Sequence, residues 1–192
     1  MRRSLPAAAA LAVALLLTGC TQQGFSSPGD GGTTVGGTGV EEWQHPTTDP
    51  IAFSGPTVDG STFDSKDYRG QVLVVNFWYA GCGPCQSESP TLTSLAAKYK
   101  GKGVQFVGVD VRDEAGEAKP FEQKYGVPYP SILDQANHGA VELAFAGSIQ
   151  PNATPTTLVL DKQGRVTARM LGQADPSILA TLIDSAKSGR DA

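Results

Sequence analysis

At 192 residues, with 40% hydrophobic and 18% charged side chains, the chain can bury one ordinary globular core with appendages, which argues against a second large domain. Its formal net charge of -4, with no Lys/Arg cluster beyond Arg2 and Arg3, excludes the basic footprint that nucleic-acid binding needs. Three cysteines and two histidines leave few ligands for a metal.

Chain order begins with an address. Arg2 and Arg3 precede the apolar stretch Leu5 to Leu17, which is shorter than the roughly 20 residues a permanent membrane span requires. The stretch ends in Leu17-Thr18-Gly19-Cys20, and LTGC resembles the lipobox of bacterial lipoproteins. That resemblance implies a lipoprotein signal peptide over residues 1–19, a diacylglyceryl thioether on Cys20, and a mature chain anchored by lipid outside the cytoplasm. A plain secreted chain with a spare thiol is the alternative. Residues 20–44 are rich in Gly, Ser and Thr and read as a flexible tether, with a reach of about 25 Å. A folded domain is expected over residues 45–188, with 189–192 as a tail.

Within the domain, Ile51 to Phe63 carries a small hairpin turning near Pro56 to Gly60. Gln71 to Trp78 (QVLVVNFW) is a continuous apolar run, as in a strand buried on both faces. A glycine turn at Ala80-Gly81 leads into a helix whose stripe is Cys85, Leu92, Leu95, Ala96 and Tyr99, closed by Gly101 and Gly103. Val104 to Val111 is the next strand. It is followed by a helix over Ala115 to Tyr125, a short strand near Ser131 to Leu133, and a helix from about Asn137 to Ala146. Thr156 to Leu160 and Arg165 to Leu171 form a hairpin across Asp161-Lys162-Gln163-Gly164. Asp175 caps a final helix with Pro176 in its first turn and Ile178, Leu179, Leu182, Ile183 and Ala186 as its apolar stripe.

The chemistry concentrates in Cys82-Gly83-Pro84-Cys85. Such a pair could grip a metal, lock a structural disulfide or shuttle electrons. One CxxC supplies two thiolates where a closed zinc site takes four ligands, and the histidines are His45 and His138. No metal and no cofactor are therefore expected, although a copper chaperone using His138 and a redox-inactive tethered binding protein stay as remote alternatives. A peroxidatic site would want Thr where Tyr79 stands, three residues before Cys82. For redox work the thiol must ionise, and an ordinary Cys, with a pKa near 8.5, is mostly protonated at neutral pH. Unpaired N–H groups and the positive dipole end of a helix favour the thiolate at its N-terminus. Cys82, before the first turn and expected nearer solvent, is the candidate nucleophile; Cys85, one turn inside, is the candidate resolving thiol. Pro84 is tolerated in a first helical turn, and Gly83 lets a partner chain approach.

Phe77-Trp78, the CGPC after it, Pro90, and the late Ala153-Thr154-Pro155-Thr156 running into a strand and a DKQG turn resemble the thioredoxin fold. More narrowly, VDGSTFDSKDYRGQVLVVNFW and the extra segment between roughly Asp113 and Gln150 resemble the TlpA/ResA-type exported thiol-disulfide oxidoreductases, over about Ile51 to Ala186. The resemblance implies a three-layer α/β/α sandwich with an N-terminal β-hairpin and a central insertion. It implies a cis Thr154-Pro155 bond beside the cysteines, forming a substrate-binding loop, with Trp78 as a wall of the site. Glu88 matches the glutamate of a CxxCxxE pattern, which implies a carboxyl that takes up the Cys85 proton; a solvated helix-surface glutamate is the bland alternative. Asn76 stands where thioredoxin has a buried aspartate, and Gly81 where many relatives have Trp, leaving the site more open. Implied partners are thiols or disulfides of exported proteins or apocytochrome c, and a membrane redox partner. Reduction of disulfides is favoured by the Gly-Pro dipeptide, with disulfide formation in secreted proteins as the alternative.

Overall fold

A computed structural model describes residues 32–35, 39–43, 49–147, 151 and 153–189. Residues 1–31, with the LTGC segment and Cys20, lie outside the described residues, as do His45 and residues 190–192. Among the described residues nine strands and four α-helices follow in order: β1 Gly32–Val35, β2 Val40–Trp43, β3 Ser54–Pro56, β4 Thr62–Asp64, β5 Val72–Trp78, α1 Gly83–Tyr99 and β6 Val104–Asp110. The chain continues through α2 Ala115–Tyr125, β7 Ser131–Leu133, α3 Ala140–Phe145, β8 Thr156–Leu160, β9 Val166–Leu171 and α4 Pro176–Ser188.

Seven strands make one sheet in the order β1-β2-β9-β8-β5-β6-β7, and β3-β4 form a separate hairpin. β5, β6 and β7 run parallel, while β8 pairs antiparallel with β5 and β9. Every residue of β5 is buried because it is paired on both edges and covered on both faces, which is why its sequence lacks alternation. On one face Val72, Val74, Phe106, Val159 and Met170 meet Leu92, Leu95 and Tyr99 of α1 and Leu179, Leu182 and Ile183 of α4. On the other, Leu73, Val75, Phe77, Val107 and Leu158 meet Phe53, Phe63, and Val141 and Phe145 of α3. This is the expected thioredoxin-like sandwich, with a second outer layer built from one short helix and the β3-β4 hairpin.

Two expectations are corrected. The stretch read as tether contains β1 and β2, and Val40–Trp43 joins the main sheet beside β9, with Glu41 opposite Arg169 and an ion pair of 2.5 Å between them. Val40 and Trp43 point to opposite faces and enter the two cores separately. The ordered sheet therefore starts well before residue 45. Strands this short, flanked by glycines, are held by backbone pairing, so composition conceals them. The helix expected from Asn137 begins at Ala140 instead, because Asp134 takes over the cap. Its carboxylate accepts the Val141 and Glu142 N–H groups at 2.9 and 3.0 Å, and Gly139 makes the left-handed turn at φ 70°.

Candidate active site

The site lies at the C-terminal end of β5, where the chain leaves the sheet. Trp78 ends the strand, Tyr79-Ala80-Gly81 turn, and Cys82 is the N-cap of α1. Asp113, after β6, accepts a hydrogen bond from the Ala80 N–H, and the Gln86 side-chain amide donates to the Ala80 carbonyl at 2.9 Å. The turn is thus pinned from both sides. Asp113 is set by its own N–H donating to Asp110 Oδ1 at 2.9 Å. Burial raises the Asp110 carboxyl above its ordinary range, the Asp113 and Arg112 N–H groups offset part of that, and the neighbouring Asp113 charge adds to the rise.

Cys82 and Cys85 are joined in a disulfide, with their Cα atoms 5.2 Å apart. The Cys82 sulfur accepts the Cys85 N–H at 3.1 Å, occupying the cap position that an Asp or Ser oxygen takes elsewhere. In the thiolate state the same N–H would stabilise the negative charge. The two residues do not differ in exposure as expected: Cys82 is 3% and Cys85 2% accessible in the bonded state. Both sit in a cluster with Val58, Trp78, Phe121 and Leu133, so position on the helix, not depth, distinguishes them. Gly83 and Pro84 are exposed at the rim, with Pro84 at the first helical turn; the helix runs on through Pro90, which is also exposed. Gly81 faces only Tyr79 and leaves the rim open.

Glu88 is a buried residue, 2% accessible, which rules out the solvated surface position. Its Oε1 accepts from Asn76 Nδ2 at 2.8 Å and its Oε2 from the Ala174 N–H at 2.9 Å. Asn76 spends its second amide hydrogen on Thr157 Oγ1 at 3.1 Å. Burial pushes the Glu88 carboxyl up to about 7, and the two donors hold back part of the rise. A carboxyl poised there exchanges protons near neutrality, one helical turn beyond Cys85.

Trp78 is a buried wall stacked on Phe121 at 4.2 Å between centroids, not an exposed platform. Its indole lies over Gly108: a Cβ built there would stand 2.7 Å from Trp78 Nε1 and 2.4 Å from Ser131 Oγ. Only glycine leaves that space to the two groups. Thr154-Pro155 is cis, as the resemblance implies, and the register Phe77↔Thr156 brings it to the same end of the sheet as the cysteines. The Pro155 carbonyl accepts the Gly172 N–H at 2.8 Å, and Gln173 reaches the Pro84 carbonyl at 3.5 Å. Three loops therefore meet around the disulfide. Asp110, Asp113 and Gln86 are the groups that sequence reading misses. An acid closing the apolar run VQFVGVD is the one signal that could have found Asp110.

Fold and site together define a thioredoxin-like protein with a redox-capable cysteine pair at a helix N-terminus. The profile of the Redoxin family matches residues 46–183, and the chain belongs to that family. Over 142 residues it is 30% identical to the thiol:disulfide interchange protein HelX of Rhodobacter capsulatus, covering 73% of this chain and 72% of that one. It is 29% identical over 116 residues to the thiol-disulfide oxidoreductase ResA of Bacillus thuringiensis, covering 60% of this chain and 64% of the relative's length. A thiol:disulfide interchange protein of the thioredoxin family from Chlorobium tepidum has a similar structure. The TM-score is 0.67 at 29% identity, over 74% of this chain and 97% of that one.

Proposed function

We propose that the chain is an exported thiol-disulfide oxidoreductase, held at the cell membrane through lipidated Cys20, that reduces disulfides in exported proteins such as apocytochrome c. The observation that carries the redox role is Cys82 as sulfur cap of α1 with Cys85 bonded to it. In this reading the Cys82 thiolate attacks a client disulfide, forming a mixed disulfide and expelling one client sulfur. Cys85 then gives its proton to Glu88 and attacks the Cys82 sulfur. The Cys82–Cys85 bond forms, the second client sulfur leaves with its electron pair, and the client has gained two electrons. A dithiol protein in the membrane restores the reduced pair. Thr154, Pro155, Gly83 and Pro84 form the rim against which an extended client segment lies as an added strand. Trp78 supports that rim from behind.

Equilibrating the purified protein with glutathione buffers tests the direction. A potential below about -220 mV supports reduction, and one above about -150 mV makes the chain an oxidant that forms disulfides. Insulin reduction that requires both cysteines tests the activity itself, and Cys85→Ala should trap clients on Cys82. For the anchor, incorporation of labelled fatty acid that Cys20→Ser abolishes is the expected result; an unlabelled wild-type chain would overturn it.

A further inference from the structure

Behind Cys85 lies a small cavity bordered by Asn76, Trp78, Cys85, Ser89, Tyr129 and Ser131. It measures about 10 Å³, on the order of what a single water needs. Ser131, 1% accessible, lines this cavity, and its hydroxyl completes no hydrogen bond within the protein. Beside it stands the Glu122 carboxylate of α2, close enough for the Ser131 hydroxyl to lower its pKa, yet its buried Oε1 and Ser131 Oγ complete no hydrogen bond of ordinary geometry. Buried polar atoms are normally satisfied, and an unsatisfied hydroxyl lining a cavity of this size is the usual setting for a structural water. Glu122 as a whole is half-buried, so its carboxylate joins the interior to the surface.

We propose that one water in this cavity, with Ser131 and Glu122, forms a second proton outlet from Cys85, parallel to Glu88. The inference rests on Cys85 being the resolving thiol, as in the function proposed above. Ser131 is the positioning residue and Glu122 the terminal acceptor. As Cys85 Sγ bonds to Cys82 Sγ, the bond from Cys82 to the client breaks and the client sulfur takes the electron pair. The Cys85 proton passes to the water, a water proton to Ser131 Oγ, and the hydroxyl proton to Glu122, which releases it to solvent. Burial raises the Glu122 carboxyl above its ordinary range, the Ser131 hydroxyl lowers it in part and Asp59 in the β3-β4 turn raises it further. Other titratable groups on the elements packed here are Glu88 on α1, Tyr129 before β7 and the buried Asp110 of β6, two residues along the same strand face from Gly108, the partner of Ser131; Tyr129 is held above its ordinary range by burial and by the charges of both glutamates.

The test follows the second release of thionitrobenzoate when the reduced full-length protein reacts with its symmetrical disulfide: the first release reports Cys82, the second reports attack by Cys85. In a Glu88→Gln background the remaining outlet carries the whole flux. Adding Ser131→Ala or Glu122→Gln should slow the second release about tenfold and flatten its rise with pH, leaving the first release unchanged. Ser131→Thr, which keeps the hydroxyl, should restore both rate and profile. Because Glu122 is half-exposed, Glu122→Gln decides the matter even if Ser131→Ala fails to fold. Double variants that release at the Glu88→Gln rate with an unaltered pH profile would overturn the outlet alone. A wild-type protein that shows no second release would overturn the proposed function with it.

Discussion

Leu73, Val75 and Phe77 on one face of β5 pack into a cluster built from Phe53, Phe63, Val141 and Phe145, whereas Val72, Val74, Asn76 and Trp78 on the other face lead from an apolar floor to the cysteine pair. Both faces are equally dry, so burial does not separate them. Their difference lies in hydrogen-bond supply. On the Asn76 face the amide is positioned to serve Glu88 and Thr157 together, and the Ala174 N–H completes the set. A carboxyl with two donors tolerates interior placement near its titration point, whereas one without them would stay protonated throughout the neutral range. The strand thus provides rigidity on one side and proton chemistry on the other from a single run of seven residues.

Substitutions can test that division. The largest effect is expected from Cys85→Ala, which should abolish turnover and leave Cys82 as a stable mixed disulfide with its client, seen on non-reducing gels. On the opposite face, Phe77→Ala should cost about 3–5 kcal/mol in denaturant unfolding, since Phe77 is fully buried edge-on to Phe145 at 5.6 Å. Cys82 alkylation in the folded fraction should not change; if it did, the two faces would not be separable.

Glu88→Gln sharpens the comparison through pH. The folded pKa of Glu88, about 7, lies above its ordinary 4.5, so the native state binds the proton more tightly. Stability from this group is full below about pH 4.5 and is lost as pH rises through 7, to an extent of up to about 3 kcal/mol. Asp110 acts in the same direction, so the difference in slope between wild type and Glu88→Gln, measured by unfolding at pH 4 to 8, isolates Glu88. The smallest effect is expected from Asn76→Leu, which removes a donor from Glu88 at a cost of about 1–3 kcal/mol. The midpoint of the Glu88-dependent pH profile should move upward, and an unmoved midpoint would mean that Asn76 does not tune the acid.

Most of the architecture was legible because its signals are local. The run QVLVVNFW, the Gly-Pro between the cysteines, the DKQG turn and the Asp175 cap each fix their own neighbourhood, and the structure forms each of them. Less legible were features that depend on distant partners. Glu88 meets Asn76 and Ala174 across 12 and 86 residues, so its depth could not be read from helical spacing alone. β2 owes its place to backbone pairing with β9, more than a hundred positions away. Ser131, Glu122 and Asp113 look like ordinary polar residues in sequence, and they acquire meaning once α2 and β7 close over the cysteine helix.

Gly108 carries a consequence of its own. Where β6 passes beneath Trp78 and Ser131, the smallest possible addition, a single methyl, would intrude on both groups at once. This position acts as an aperture whose width is fixed by the absence of a side chain. Through it, variation in an otherwise unremarkable strand could stopper the floor of the reaction centre without touching either sulfur.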